Sequence, residues 1–79
     1  MFTVYVLQDN RGKFYKGVTN NLVRRFNEHT IGKTKTTRFM EELRIVYMEE
    51  FIDFSTARKR ELYLKSAAGR RFLKKVLRP

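Results

Sequence analysis

The amino-acid sequence predicts an α/β fold of the α+β kind, with three strands and three helices in the order β-β-α-β-α-α. Three observations carry this. Short runs rich in Val, Ile, Phe and Tyr occupy "FTVYVL", "KFYKGV" and "RIVYMEEF". Capped stretches with helical spacing follow the second and third of them. The length of 79 residues leaves room for one domain, 1–79, whose core must be economical.

The first two strands, 2–7 and 13–18, flank the turn formers of "QDNRG" and read as a hairpin. A three-residue loop of Asn10, Arg11 and Gly12, with Gly12 left-handed, pairs Asp9 with Lys13, Leu7 with Tyr15 and Tyr5 with Gly17. Tyr5 and Tyr15 then share one face, whereas a two-residue loop would send them to opposite faces. Helix one begins at Asn20 or Asn21 and runs to about Thr30, with Gly32 as its stop. Its apolar stripe is Leu22, Val23 and Phe26; Arg25 and His29, four apart, flank that stripe, and Arg24 and Glu28 turn to solvent.

Residues 32–42, "GKTKTTRFMEE", lack clean periodicity and read as a mobile loop, basic and hydroxyl-rich. The third strand spans 44–51. Ser55 caps a second helix that runs to about Ser66, and Gly69 marks the break before a third, "RRFLKKVL". In that last helix Phe72, Leu73, Val76 and Leu77 form the core face, and Arg70, Arg71, Lys74 and Lys75 form the opposite one. Ala57, Glu61, Leu64 and Ala68 share one side of the preceding segment, which puts a carboxylate in a stripe that should meet the sheet. Such a charge must be paired or bind a cation, and Lys65 or Arg58 stands within helical reach of Glu61.

Eighteen Lys and Arg against eight Asp and Glu give a net charge of +10. The excess is uneven: +6 over residues 1–40, −4 over 41–53 and +8 over 54–79. A field of that sign draws polyanions and points to nucleic acid, with an anionic membrane surface as the bland competitor. No cysteine is present, so thiolate metal sites, disulfides and cysteine nucleophiles are excluded. No apolar run approaches the ~20 residues of a bilayer span, and the N-terminus lacks a signal pattern, so the expectation is a cytoplasmic protein with no membrane partner.

In order along the chain, Tyr5, Tyr15-Lys16-Gly17, Thr19, Arg25, His29 and Glu61 resemble the motifs of the GIY-YIG nuclease superfamily. The spacing is most similar to small stand-alone bacterial members, themselves similar to the N-terminal nuclease domain of the excision-repair endonuclease. The resemblance covers nearly the whole chain, from "VYVL" to "ARKRELYLKS". It implies a three-stranded antiparallel sheet flanked by helices, and metal-dependent endonuclease action on DNA in repair or processing, alone or within a larger repair assembly. The alternative is a DNA- or RNA-binding module that keeps the fold without turnover.

Carried over, the resemblance makes Tyr5 and Tyr15 the motif tyrosines, Arg25 the catalytic arginine, His29 the helix-one histidine and Glu61 the ligand of one Mg²⁺ or Mn²⁺. The chain departs from the pattern in Val4-Tyr5-Val6, which lacks the motif Gly and Ile, and in Lys16, where Ile is usual. Arg25 offers a planar cationic fork for non-bridging oxygens. Either Tyr15 or His29 is placed to handle the proton of the attacking water. Gly17 suggests a strand backbone open to close approach, and Thr19 lies beside it. Lys33, Lys35 and Arg38 in the loop, with Arg70, Arg71, Lys74 and Lys75, are the expected grip on the phosphate backbone, a contact that positions a duplex without reading its bases.

Overall fold

A computed structural model describes residues 1–77. It contains β1 (Phe2–Gln8), β2 (Phe14–Thr19), α1 (Leu22–Thr30), β3 (Arg44–Phe51), α2 (Phe54–Lys65) and α3 (Ala67–Val76). The strands form one antiparallel sheet in the order β2-β1-β3, as expected. β1 is central, and its residues Val4, Tyr5, Val6 and Leu7 are all buried. A strand covered on both faces carries an unbroken apolar run for that reason.

The hairpin takes the three-residue loop. Gly12 has φ +85°, and the Asp9 N–H donates to the Lys13 carbonyl at 3.0 Å. The Asp9 carboxylate accepts from the amides of Arg11 (3.0 Å) and Lys13 (2.8 Å), which fixes the turn and with it the register. Tyr5 therefore pairs with Gly17 and Leu7 with Tyr15. Pairing with β3 shifts between Val6 and Leu7, leaving Val46 as the extra residue of a bulge.

One face of the sheet carries Val4 and Val6, which pack with Ala57, Leu64 and Leu73 from α2 and α3 into the apolar core. The other face carries Tyr5, Leu7 and Tyr15, with His29 of α1 packed against the two phenols. Register alone thus assigns the Tyr5 and Tyr15 rings to one side and the main core to the other.

Several expected boundaries move. Asp53, not Ser55, caps α2: its Oδ1 accepts from the Thr56 amide at 2.7 Å, and a carboxylate is the stronger acceptor at a positive helix end. The break before α3 falls at Ser66, which closes α2 and caps α3 through its Oγ to the Gly69 amide at 3.2 Å. Gly69 lies inside α3 as a contact residue, because a Cβ there would stand 2.0 Å from the Tyr63 carbonyl oxygen and 2.4 Å from the Leu64 Cα. The break at Ser66 also rotates Ala68 out to solvent and brings Gly69 into the buried position in its place. Val76 is exposed rather than part of the core face.

Candidate active site

The site begins with a clearance. Tyr5 projects from the central strand directly over its partner Gly17, and a Cβ at position 17 would lie 2.5 Å from the Tyr5 Oη and 2.7 Å from its Cζ. The ring therefore lies across β2 toward the free edge of the sheet. The need for glycine at 17 is room for this ring, since Gly17 is buried beneath it. Tyr15, two residues along on the same face, brings its ring centroid to 6.2 Å from that of Tyr5.

Helix α1 delivers the next two groups. Asn21 caps it, its side chain accepting from the Arg24 amide at 3.1 Å. Gly32, at φ +79°, ends it: its amide donates to the His29 carbonyl (3.2 Å) and the Lys33 amide to that of Glu28 (3.0 Å), the paired bonds of a Schellman stop. Between these ends His29 is the buried residue of the helix, 1% exposed. The buried face is centred on His29 and not on the middle of the apolar stripe, so Val23 points to solvent at 74% exposure. An imidazole wins the central position because its partners are polar and waiting there.

Those partners are specific. Tyr5 Oη lies 2.8 Å from His29 Nε2, while Nδ1 meets Thr37 Oγ1 at 2.8 Å and Thr34 Oγ1 at 3.0 Å. Thr34 and Thr37 also hydrogen-bond each other. The loop expected to be mobile is thus folded in turns onto the histidine, and Thr37 is fully buried. Its hydroxyl-rich composition was legible; that two of those hydroxyls serve His29 was not, because the contact depends on how residues 31–40 turn back.

The network has two self-consistent proton arrangements. In one, the Tyr5 hydroxyl donates to Nε2 and the Nδ1–H donates to a threonine. In the other, the Nε2–H donates to Tyr5, a threonine hydroxyl donates to Nδ1, and the Tyr5 O–H is released outward. Both keep the imidazole neutral and both occupy its two nitrogens. Burial, with Arg25 adding to it and Glu28 opposing, holds the His29 pKa below its usual value. Burial pushes the Tyr5 phenol up to about 12, with Arg25 pulling the other way and Tyr15 adding to the rise.

Arg25 stands on the same side. Its Nη1 donates to Glu28 Oε1 at 3.0 Å, the main cause of a pKa held above the usual guanidinium range, with the phenol oxygens of Tyr5 and Tyr15 near enough to raise it further. Glu28 is therefore a half-buried partner of Arg25 and not a solvent-facing residue. The three-residue spacing of a helical ion pair was there to signal it. Tyr15 packs edge-on against the His29 ring at 4.8 Å between centroids, so Tyr5, Tyr15, Arg25 and His29 form one contiguous group.

Glu61 is buried at 5% exposure, as its place in the stripe requires, but on the other face of the sheet. Its Oε1 accepts from Arg58 Nη1 at 2.5 Å and its Oε2 pairs with Lys65 Nζ at 3.2 Å, so both helical neighbours engage it together. Thr19 bonds locally across the β2–α1 junction, its Oγ1 accepting from the Asn21 amide at 3.1 Å. Lys33, Lys35 and Arg38 are exposed on the phenol side, and Arg70, Arg71, Lys74 and Lys75 are exposed on α3, behind the sheet. The expected cationic grip is therefore divided between the two faces. No helix among the described residues is long and apolar enough to cross a membrane.

A family model described as the GIY-YIG catalytic domain matches residues 1–75. A UPF0213 protein of Limosilactobacillus reuteri is 38% identical over 87% of this chain and 75% of its own. One from Vibrio campbellii is 37% identical over 81% and 62%, and one from Autographa californica nuclear polyhedrosis virus is 32% identical over 99% and 77%. The chain thus spans between 62% and 77% of the length of these relatives. The solution NMR structure of a UPF0213 protein from Bacillus halodurans superposes with a TM-score of 0.59 at 30% identity, covering 96% of this chain and 85% of that one.

Proposed function

The chain belongs to the GIY-YIG family, and on that footing we propose that it is a metal-dependent endonuclease hydrolysing DNA phosphodiester bonds with little sequence discrimination, in DNA repair or processing. The observation that carries the proposal is the contiguous group of Tyr5, Tyr15, Arg25 and His29 at the free edge of β2. Hydrolysis needs a held phosphate, a handled proton and a stabilised leaving oxygen. Arg25, anchored by Glu28, presents its remaining N–H groups to non-bridging oxygens.

Tyr15, half-buried at the edge, is the better candidate to orient the attacking water and take its proton. His29 is sealed off, with both nitrogens engaged, and acts by holding the Tyr5 hydroxyl in place. Tyr5, whose raised pKa keeps it protonated, serves as a donor and not as a base.

Glu61 is the residue that would hold the divalent ion the family implies, once Arg58 and Lys65 release its carboxylate. No group of three or more His, Cys, Asp or Glu able to hold a metal occurs among the described residues, so an ion here would keep most of its water, as Mg²⁺ and Mn²⁺ readily do. Arg58 and Lys65, whose side chains are each 47% exposed, have room to swing off the carboxylate. When bound, such an ion would supply Lewis-acid stabilisation to a phosphate brought within its reach.

A second reading, a DNA- or RNA-binding module without turnover, draws support from the same ion pairs, because a carboxylate saturated by two cations binds a third poorly. A plasmid-nicking assay with Mg²⁺ or Mn²⁺, run against EDTA, separates the two. The nuclease reading expects nicking that EDTA stops and that Glu61→Gln and Arg25→Ala each reduce at least 100-fold, with salt-sensitive binding retained by Glu61→Gln. Wild-type binding with no nicking under any metal would establish the second reading instead.

A further inference from the structure

Three cationic residues among those described are half-buried: Lys16, Arg25 and Arg60. Arg25 has Glu28 at 3.0 Å and Arg60 has Glu49 at 2.7 Å. Lys16 has no carboxylate partner among the described residues. Its register opposite Val6 sends it to the face covered by α2 and α3, where its ammonium sits 5.7 Å from the Phe14 ring centroid. On that face the charges that act on it are cationic, those of Arg70 and Lys65. Lys65 ends α2, and Arg70 is tied to it by a bond from Nη1 to the Lys65 carbonyl at 3.1 Å.

Desolvation, then Arg70, then Lys65 lower the Lys16 pKa, and no acidic group opposes them. A partly desolvated ammonium facing two like charges costs free energy that an anion would recover. Sheet geometry says where this anion would lie: Lys16 is the neighbour of Gly17, across which Tyr5 reaches the same edge of β2 from the opposite face. Lys65 further connects the cluster to Glu61.

We propose that Lys16, Lys65 and Arg70 form a second phosphate-binding subsite behind the β2 edge, which holds a backbone phosphate of the DNA flanking the one presented to Tyr5, Tyr15 and Arg25. The proposal rests on the nuclease reading, since it divides one substrate between the two faces of a single edge strand. It makes Lys16 a determinant of affinity and placement and leaves the bond-breaking groups as they are.

The test is binding of a fluorescent 20-base-pair DNA duplex to wild type, Lys16→Gln and Lys59→Gln, in EDTA to prevent turnover, across a series of salt concentrations. Lys59 is an exposed lysine on α2 outside the cluster and serves as the control. Lys16→Gln is expected to weaken binding about 5- to 10-fold near 0.1 M salt and to reduce the slope of log K against log salt by about 0.9, the loss of one phosphate contact. Lys59→Gln should bind within about twofold of wild type. Circular dichroism should find Lys16→Gln folded with a melting temperature equal to or above wild type, because an unpaired cation has been removed.

Unchanged affinity and slope in Lys16→Gln, beside normal salt-dependent binding by wild type, would overturn the subsite alone. Absence of DNA binding by wild type would overturn the nuclease reading and the subsite with it. A third arm adds inorganic phosphate to the melting experiment. If free phosphate stabilises wild type but not Lys16→Gln while DNA affinity is the same in both, the cluster is a site for small anions and the backbone assignment fails.

Discussion

Replacing Gly17 with alanine tests the geometry on which the site depends. The new Cβ would stand 2.5 Å from Tyr5 Oη, 2.7 Å from Cζ and 3.0 Å from Cε1, so the ring must retreat by about 1 Å to restore ordinary contact. It has little freedom to do so. Tyr5 is 1% exposed and its hydroxyl is held at 2.8 Å by a buried histidine. Overpacking of this kind costs roughly 1–3 kcal/mol, and loosening the Tyr5–His29 bond adds about 0.5–1.5 kcal/mol. Stiffening the unfolded chain by removing a glycine returns about 0.4–1 kcal/mol. The sum is a destabilisation of about 2 kcal/mol. Urea unfolding reads it directly, as a midpoint lowered by roughly 2 M at a slope of about 1 kcal/mol/M for so small a domain.

The decisive comparison repeats the substitution in a Tyr5→Leu background, where the shorter side chain ends before the far side of the ring. There Gly17→Ala should be neutral or slightly stabilising, giving a coupling energy of about 2 kcal/mol between positions 5 and 17. An equal cost in both backgrounds would refute the reasoning, since the glycine would then answer to its backbone and not to Tyr5.

Three further outcomes are expected. His29 has a folded-state pKa below its unfolded value, so as pH falls below about 6.5 the unfolded chain binds a proton that the folded chain refuses, and stability drops; because His29 is the chain's sole histidine, the slope of urea midpoint against pH between about 5 and 7 should vanish in His29→Gln. Thr37→Val removes a fully buried hydroxyl from Nδ1 and should cost about 1–2 kcal/mol, which Thr37→Ser should largely restore in the same unfolding assay. Gly69→Ala drives a Cβ to 2.0 Å from a backbone oxygen that no side-chain motion can relieve; it should lose about 3 kcal/mol or more, seen as a melting temperature at least 10 °C lower.

The sequence was most informative where one local choice decided a long-range outcome. The Asp9–Gly12 turn is written in four residues, and once its loop length is set the period of two assigns every side chain of β1 and β2 to a face. Tyr5, Tyr15 and Gly17 follow from it. Helix α1 was legible at its ends, in Asn21 and Gly32, but not in its orientation, because an apolar wheel assumes that the buried face is apolar. At His29 the buried face is polar and satisfied by Thr34 and Thr37 from a segment without periodicity. Glu61 was correctly placed in a buried stripe, yet periodicity within one helix carries no information about which side of a sheet that helix covers. That choice was made by Val4 and Val6, the apolar parity of the central strand, which α2 and α3 must cover.

The same parity explains why two phenols gather at an edge strand. In an antiparallel pair, residues opposite each other share a face, so a tyrosine on the central strand can lie across its neighbour toward the sheet edge only where that neighbour has no side chain. Gly17 provides the gap, and Tyr15, two positions away, walls it on the same face. The tyrosine-x-glycine spacing is in this light a packing unit first: it sets two phenols side by side at a strand edge and leaves the intervening residue, Lys16, facing the opposite side. On the proposed function a DNA substrate would meet such a site from both faces of the sheet, and a change at the middle residue should alter how it is held while leaving the phenol pair undisturbed. Lys16→Gln and Gly17→Ala, neighbours in sequence, are therefore expected to separate cleanly, the first weakening DNA binding without loss of stability and the second lowering stability through Tyr5.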